Sequence, residues 1–219
     1  MNPMPSELKC CRQVRPGNSA RHFRNPAPVL RHPRIRQILD QHHGAHVIEI
    51  GAGCLRNAAH LQERGFRVTA VELPEVAAIF ESEYSRFRRM GGTVSHQVGT
   101  HRKFKIALAT FVFETICDRS LRKRVLESLG KQLERDGILI MSVRGPKDVV
   151  TASNAGVRCS DGYLTPNRTF SRGFTRAQAE RFLSSCGFRQ IEFLHKPRTK
   201  EPKLLHLVAG KGGGHGRTT

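Results

Sequence analysis

Short apolar runs alternate with amphipathic segments over residues 46–143, and this alternation limits the fold more than any other feature of the sequence. The runs predicted as strands lie at 46–50, 67–72, 93–98, 104–113 and 138–143. Apolar residues at helical spacing predict helices over 56–64, 76–87 and 121–133. Strands that alternate with helices in this way favour a parallel sheet covered by helices on both faces.

The segments outside this core predict the domain limits. Residues 1–32 are rich in Pro, Asn and Arg and predict a basic, partly disordered arm, whereas 33–210 form one folded domain. Within it, 145–174 is a polar stretch without periodicity, which we interpret as a substrate-side loop. Thr175 and Gln178 predict a capping box for the next helix, and two closing strands follow at 188–194 and 204–208. The glycine-rich tail 211–219 is expected to be disordered.

The charge of the chain is large but unevenly placed. Of the formal net charge of +19, residues 46–144 carry only +5, while 1–45 carry +6 and 145–219 carry +8. An excess of basic over acidic residues suits binding to nucleic acid or to another anionic partner. No apolar stretch reaches the roughly 18–20 residues of a membrane span, and Met1–Leu8 lack the apolar segment of a secretory signal, so we expect a cytoplasmic chain.

The cysteine and histidine patterns predict no metal site. The six cysteines are Cys10, Cys11, Cys54, Cys117, Cys159 and Cys186. They contain no Cys-x-x-Cys pair and no zinc-finger spacing, so free thiols are expected. The histidine cluster His42, His43 and His46 has no cysteine or carboxylate at ligand spacing, and a helix end followed by a strand explains it.

Two glycines and an acid carry the strongest functional signal. Gly51 and Gly53 follow the first strand, where glycines let a ligand approach the backbone closely. Glu72, 19 residues after Gly53, ends the second strand and can accept hydrogen bonds from a ribose diol. A dinucleotide site requires a third glycine where Arg56 stands, which counts against that ligand. Glu49, two residues before Gly51, suits a loop that holds the ammonium group of a methionine moiety.

These motifs resemble those of class I S-adenosylmethionine-dependent methyltransferases over residues 33–210, most of the chain. The resemblance is carried by the segments 49–53, 71–74 and 107–114 and by the helix and strand over 126–143. The segment 55–61 is similar to the Gly-Arg-Asn form of tellurite-resistance-type methyltransferases, with Leu55 where the family often has a third loop glycine. The resemblance implies an α/β, Rossmann-like, doubly wound and mostly parallel sheet of about seven strands, with the last strand antiparallel and helices on both faces.

The resemblance also implies a cofactor, S-adenosyl-L-methionine, and the residues that would bind it. Gly51 and Gly53 would pass under the cofactor, Glu72 would bind its ribose, and Leu73 would pack on its adenine. Ala109 and Thr110 would lie near its methionine end. The remaining cofactor-binding candidates are Glu49, Ala52 and Asn57.

Catalytic residues and the acceptor are less constrained. Glu114 and Asp118, just beyond the fourth strand, are the candidate general bases, with helix capping or surface ion pairing as their alternative roles. The first interpretation is methyl transfer to a small molecule, with Arg144, Arg168 and Arg172 able to meet an anionic one.

Two alternatives remain open. The chain could methylate RNA or DNA through its basic flanks, or it could be a non-catalytic relative that only binds the cofactor. The absence of an Asp/Asn-Pro-Pro-aromatic signature over 109–112 disfavours methylation of a base amine, whereas the net charge favours a nucleic-acid partner.

Overall fold

The computed structural model describes residues 10–15, 25–99, 102–195 and 203–211. In these segments the strands, in chain order, are β1 (His46–Ile50), β2 (Arg67–Val71), β3 (Thr93–Ser95), β4 (Phe104–Thr110), β5 (Leu133–Arg144), β6 (Val157–Cys159), β7 (Gly162–Leu164), β8 (Phe170–Ser171), β9 (Phe188–Phe193) and β10 (Leu204–Lys211). The helices are α1 (Pro33–Gln41), α2 (Arg56–Glu63), α3 (Pro74–Ile79), α4 (Glu81–Arg89), α5 (Arg119–Gln132), α6 (Val150–Ala155) and α7 (Arg176–Ser185), with 3-10 turns at Pro28–Arg31 and Pro146–Val149.

The main sheet confirms the predicted architecture. Its seven strands run in the order β3-β2-β1-β4-β5-β10-β9. The pairs from β3 to β5 are parallel, and β10 is antiparallel to both of its neighbours. The chain order reverses between β1 and β4, and the ends of strands beside such a reversal are where ligands bind in open α/β sheets.

The sheet is buried on both faces, as its sequence requires. Val47 and Ile48, neighbours on β1, point to opposite sides and are both fully buried. The face of Val47 packs against α1, α2 and α4, whereas that of Ile48 packs against α5 and α7. The predicted capping box of α7 is present: Thr175 Oγ1 accepts from the Gln178 amide at 3.2 Å, and Gln178 Oε1 accepts from the Thr175 amide at 3.0 Å.

Local geometry differs from the prediction at three places. The helix predicted over 76–87 is two helices, α3 and α4, which meet at Phe80. The strand predicted at 138–143 begins earlier, at Leu133, so Gly137 lies within β5, where the register to β4 shifts between Phe104 and Ile106. The stretch 145–174 carries α6 and the small antiparallel sheet β6-β7-β8 rather than one irregular loop.

The N-terminal arm predicted over 1–32 is part of the folded core where the structure describes residues 25–32. Ala27, Val29 and Leu30 are 0–2% exposed and belong to the main core, so the arm prediction is wrong for residues 25–32. Their small apolar run was too short to give a periodic signal. Residues 1–9 and 16–24, and the tail 212–219, lie outside the described residues, so those parts of the disorder prediction stay predictions. No described helix is long and apolar enough to cross a membrane.

Cysteine pairing contradicts the expectation of free thiols. Cys10 forms a disulfide with Cys159, and Cys11 forms one with Cys117. The pairs are separated by 149 and 106 residues, so no local spacing indicates them. The histidine prediction holds: His42 caps the end of α1, His43 packs against Phe66, and His46 begins β1.

Candidate functional site

A cavity of about 1100 Å³ opens at the carboxyl ends of the parallel strands. The last residue of each of four strands lines it: Ile50, Val71, Thr110 and Arg144. The chain-order reversal between β1 and β4 therefore lies at this cavity, where the fold geometry predicts a ligand.

The glycine turn after β1 forms one wall of the cavity. Gly51 and Gly53 adopt left-handed φ values of 62° and 53°. A Cβ atom on Gly51 would lie 2.5 Å from Cγ2 of Val112, so a larger residue would be strained and would collide with the opposite wall. The hydroxyl of buried Tyr84 donates to the Gly53 carbonyl at 3.0 Å and holds the turn from behind.

Leu55, which stands where the resembled family often has a third loop glycine, has a backbone conformation that glycine favours. Its φ is 62°, in the left-handed region that favours glycine, and its side chain is 1% exposed in the core. Burial of the leucine side chain therefore offsets the cost of this conformation, roughly 1–2 kcal/mol. Leu55 therefore differs from the family pattern in its residue type, but its backbone has the conformation that glycine favours.

Glu72 closes the turn at the end of β2. Its Oε2 accepts a hydrogen bond from the Gly53 amide at 2.7 Å, and its Oε1 accepts from the Leu73 amide at 2.8 Å. Burial raises the pKa of Glu72, an effect that these two amides oppose. His96 Nδ1 donates to the Glu72 carbonyl oxygen at 3.0 Å. Each carboxylate oxygen keeps a second lone pair, so the side chain can still accept from a ligand hydroxyl.

A buried polar network lies between the glycine turn and β4. Asn57 Nδ2 donates to Oε1 of Glu49 at 2.7 Å and to Oγ1 of Thr110 at 3.0 Å. Asn57 Oδ1 accepts from the Ala27 amide at 2.7 Å, which ties the N-terminal segment to the cavity. Oε2 of Glu49 has no hydrogen-bond partner although Glu49 is 1% exposed and lines the cavity. Burial raises the pKa of Glu49 to about 8.

The predicted cofactor-binding residues come together with one exception. The cavity wall contains Glu49, Gly51, Ala52, Gly53, Asn57, Glu72, Leu73 and Thr110. Leu73 is 48% exposed at the rim, so a flat apolar group could pack on it. Ala109 is fully buried in the core on the α5 side of the sheet and is not part of the wall. Side chains alternate along β4, which turns Ala109 away from the side to which Thr110 points.

Neither candidate base belongs to the cavity wall. Asp118 caps α5: its Oδ1 accepts from the amides of Ser120 and Leu121 at 2.8 and 3.1 Å. Glu114 is fully buried, and neither of its carboxylate oxygens makes a hydrogen bond. Burial raises the pKa of Glu114 to about 7, and Arg144 Nε lies 4.0 Å from its Oε1. Glu114 therefore lies beside the wall residue Arg144 but is not itself among the described wall residues.

The three substrate-side arginines have different roles. Arg144 lines the cavity, and its Nε lies 3.5 Å from Oδ2 of Asp148. Arg168 is in the turn between β7 and β8, where its carbonyl accepts from the Arg15 amide at 2.7 Å. The Arg172 side chain is mostly buried against Asp161 and lies over the Phe174 ring. Of these three arginines, Arg144 is the one that lines the cavity.

Several wall residues were not found by sequence reasoning. Arg31 and Arg124 add positive charge to the cavity, from the N-terminal segment and from α5. Phe111 follows β4 with a φ of 61°, a conformation that costs a non-glycine residue energy and often marks a ligand site. A helical-wheel view of α5 would place Arg124, Leu121, Val125 and Ser128 on one face, but only the fold shows that this face borders the cavity.

Comparisons with known proteins support the fold. Protein-family profiles and curated proteins give no match. A S-adenosylmethionine-dependent methyltransferase from Clostridium acetobutylicum superposes with a TM-score of 0.59 at 12% identity, covering 81% of this chain and 88% of that one. The glycopeptide N-methyltransferase MtfA, solved with sinefungin, gives 0.58 at 17% identity, covering 83% and 86%.

A third structure adds a bound acceptor. It is the 1,6-didemethyltoxoflavin-N1-methyltransferase of Burkholderia thailandensis, solved with its acceptor and S-adenosylhomocysteine. It gives a TM-score of 0.55 at 23% identity, covering 80% of this chain and 75% of that one. The chain therefore has the Rossmann-like fold of these methyltransferases, and the resemblance seen in the sequence is confirmed at the level of the fold.

Proposed function

We propose that the chain binds S-adenosyl-L-methionine in this cavity and transfers its methyl group to a small-molecule acceptor. The observation that carries the proposal is the position of Glu72, whose carboxylate is fixed against the glycine turn by the Gly53 amide at 2.7 Å. A ribose diol can add two hydrogen bonds to an acid held in this way, and bonds to a charged acceptor are among the stronger ones.

The methionine end of the cofactor has a matching group. Glu49 presents Oε2, a buried oxygen without a partner, in the cavity wall. A buried polar atom without a hydrogen bond is costly, and an ammonium group would remove that cost. Such a cation would also favour the charged form of Glu49, whose pKa burial raises to about 8.

The chain's own contribution to methyl transfer would be alignment. When bound, the sulfonium supplies an activated methyl group, and its sulfur keeps the electron pair of the bond that breaks. Glu72 and the glycine turn would fix one end of the ligand, and Glu49 the other. Holding two reactants in line accounts for up to about 7–11 kcal/mol of a barrier. Since Glu114 and Asp118 are not among the described residues of the wall, we propose an acceptor atom that carries a free lone pair at neutral pH.

The charge of the wall favours an anionic acceptor. Among the described residues, four arginines line the cavity against three acids: Arg31, Arg56, Arg124 and Arg144 against Glu49, Glu72 and Asp148. Burial raises the pKa of Glu49 to about 8, so this acid is largely uncharged at neutral pH and the wall carries net positive charge. Two of the similar structures are named as N-methyltransferases of a small molecule and of a glycopeptide, which is consistent with a non-nucleic-acid acceptor.

A screen with labelled cofactor against anionic metabolites and RNA tests the acceptor class. We expect label in small molecules and a loss of at least about tenfold in kcat/KM for Arg144→Gln, with Lys147→Gln as the control. Label only in RNA, with RNA affinity that falls steeply with salt, would favour the nucleic-acid alternative. Cofactor binding without transfer to any pool would favour a non-catalytic relative.

A further inference from the structure

Four cysteines from three distant segments meet at one point. Cys10 and Cys11 belong to one helical turn of the N-terminal segment, Cys117 lies between β4 and α5, and Cys159 ends β6. Their four sulfur atoms all lie within 4.8 Å of one another. Cys117 and Cys159 are 5% and 2% exposed, and Phe170 packs beside them.

We propose that these four cysteines form a structural zinc site in the reduced protein. Tetrahedral coordination with Zn–S bonds of about 2.3 Å places the sulfurs roughly 3.7 Å apart. The cluster has that size: the sulfurs of Cys117 and Cys159, which belong to different disulfides, are 3.3 Å apart. Two separate disulfides would require short sulfur–sulfur distances only within each pair. Here all four sulfur atoms lie close enough to one another to coordinate a single ion.

The surrounding charge also fits a metal-bound thiolate group. Asp161, two residues after Cys159, is paired with Arg119, Arg122 and Arg172. These arginines give the region around Asp161 a positive character, which favours a zinc ion with four thiolates because that group carries a net double negative charge.

Arg122 fixes the two loops that carry the buried ligands. The side chain is 3% exposed and donates to the carbonyls of Ile116 and Cys117 at 2.6 and 3.5 Å. It also binds both carboxylate oxygens of Asp161 at 2.9 and 3.0 Å. Hydrogen bonds that orient the ligand-bearing segments are a regular part of metal sites.

The site would hold the N-terminal segment at the rim of the cavity. Thr115 and Ile116, immediately before Cys117, line the cavity. On the other side of the cluster, the Arg15 amide donates to the Arg168 carbonyl at 2.7 Å. Zinc binding by four thiols releases four protons and changes no oxidation state, whereas forming the two disulfides removes four protons and four electrons from the same thiols and requires an oxidant. The zinc site therefore belongs to the reduced protein and the disulfides to the oxidised one.

Metal content and thiol count distinguish the two states. The full chain is purified from zinc-supplemented cells under reducing conditions, and the reductant is then removed without air. We expect about one zinc per chain by mass spectrometry of the metal, and six thiols after denaturation with a chelator, all the cysteines of the chain. Two thiols and no zinc would show the disulfides and overturn the proposal, as would six thiols without zinc or iron in place of zinc.

Ligand variants test the assignment residue by residue. We expect Cys11→Ser and Cys117→Ser to lower zinc affinity at least about tenfold in competition with a chromogenic chelator, and Cys186→Ser to leave it unchanged. In case Cys117→Ser does not fold, cobalt replaces zinc in the unchanged chain, where sulfur-to-cobalt charge-transfer bands and tetrahedral visible bands are expected. Absence of those bands, or equal zinc affinity in Cys11→Ser and Cys186→Ser, would contradict the site.

Discussion

The amide of Gly53 donates a 2.7 Å hydrogen bond to Oε2 of Glu72, and so joins the turn after β1 to the end of β2. Residues 19 positions apart thereby form one wall of the cavity. The bond fixes the carboxylate before a ligand arrives, which reduces the ordering cost of binding.

The first prediction concerns the strain at Leu55. Leu55→Ala should lower the free energy of unfolding by about 2–5 kcal/mol because a buried side chain is lost. Leu55→Gly should be more stable than Leu55→Ala by about 1 kcal/mol, since only glycine adopts a φ of 62° without cost. At Leu61, inside α2, the order should reverse, with glycine less stable than alanine. Urea unfolding measures all four variants, and the same order at both positions would contradict the left-handed assignment.

Gly51→Ala tests the close approach to Val112. We expect a loss of more than about 2 kcal/mol in unfolding free energy, because the new Cβ adds a 2.5 Å contact to an unfavourable φ. Gly44→Ala is the matched control: its φ is 74°, and a Cβ there meets nothing within 4 Å, so only the backbone cost of about 1–2 kcal/mol applies. The second-site change Val112→Ala should recover part of the loss at Gly51. Equal losses at the two glycines would refute the contact.

The buried carboxyl of Glu49 should make stability depend on pH. Its pKa is raised from 4.5 to about 8 by burial, so between these values the folded chain holds a proton that the unfolded chain releases. The free energy of unfolding therefore falls as pH rises through this range. Glu49→Gln removes the titration and should gain about 2 kcal/mol or more relative to the unchanged chain between pH 5 and pH 8. The exposed Glu75→Gln should show no such gain, and parallel pH profiles for Glu49→Gln and the unchanged chain would contradict the shift.

Asn57→Asp should distinguish the role of Asn57 in hydrogen bonding from a role in packing alone. The substitution keeps the shape but replaces the donor Nδ2 with an oxygen beside Glu49 and Thr110. We expect a loss of about 2 kcal/mol or more that is larger at pH 8 than at pH 5, because two carboxylates then face each other. Asn154→Asp, at an exposed position of α6, serves as the control in thermal unfolding. A loss that is independent of pH would mean that Asn57 acts only by filling space.

The sequence predicted the parts of the molecule that depend on local pattern. The periodicity that gave β1, β2 and β4 also placed Gly51, Gly53 and Glu72 at the ends of parallel strands, which is why they meet at one edge. Ala109 is one residue out of step with the side-chain alternation that points Thr110 toward the cavity, so it lies outside the described wall, and its role in cofactor binding stays a prediction.

Long-range relationships could not be predicted in this way. The bond from the Ala27 amide to Asn57 spans 30 residues, and the meeting of Cys10 with Cys159 spans 149. Neither contact has a characteristic spacing in the sequence. The number of residues between the two partners depends on the helices and strands that lie between them. The sequence predicts Arg172 at the mouth of the cavity, but in the structure its side chain pairs with Asp161 instead.

Calorimetry with S-adenosyl-L-methionine tests the central claim most directly. The unchanged chain should bind the cofactor, and Glu72→Ala should raise Kd at least about tenfold, because charge-assisted hydrogen bonds to the ribose would be lost. Glu72→Gln, which keeps an acceptor, should have a smaller effect, and Glu75→Ala, an exposed acid outside the cavity wall, should have none. No binding by the unchanged chain, or the same Kd for Glu72→Ala and Glu75→Ala, would contradict the account.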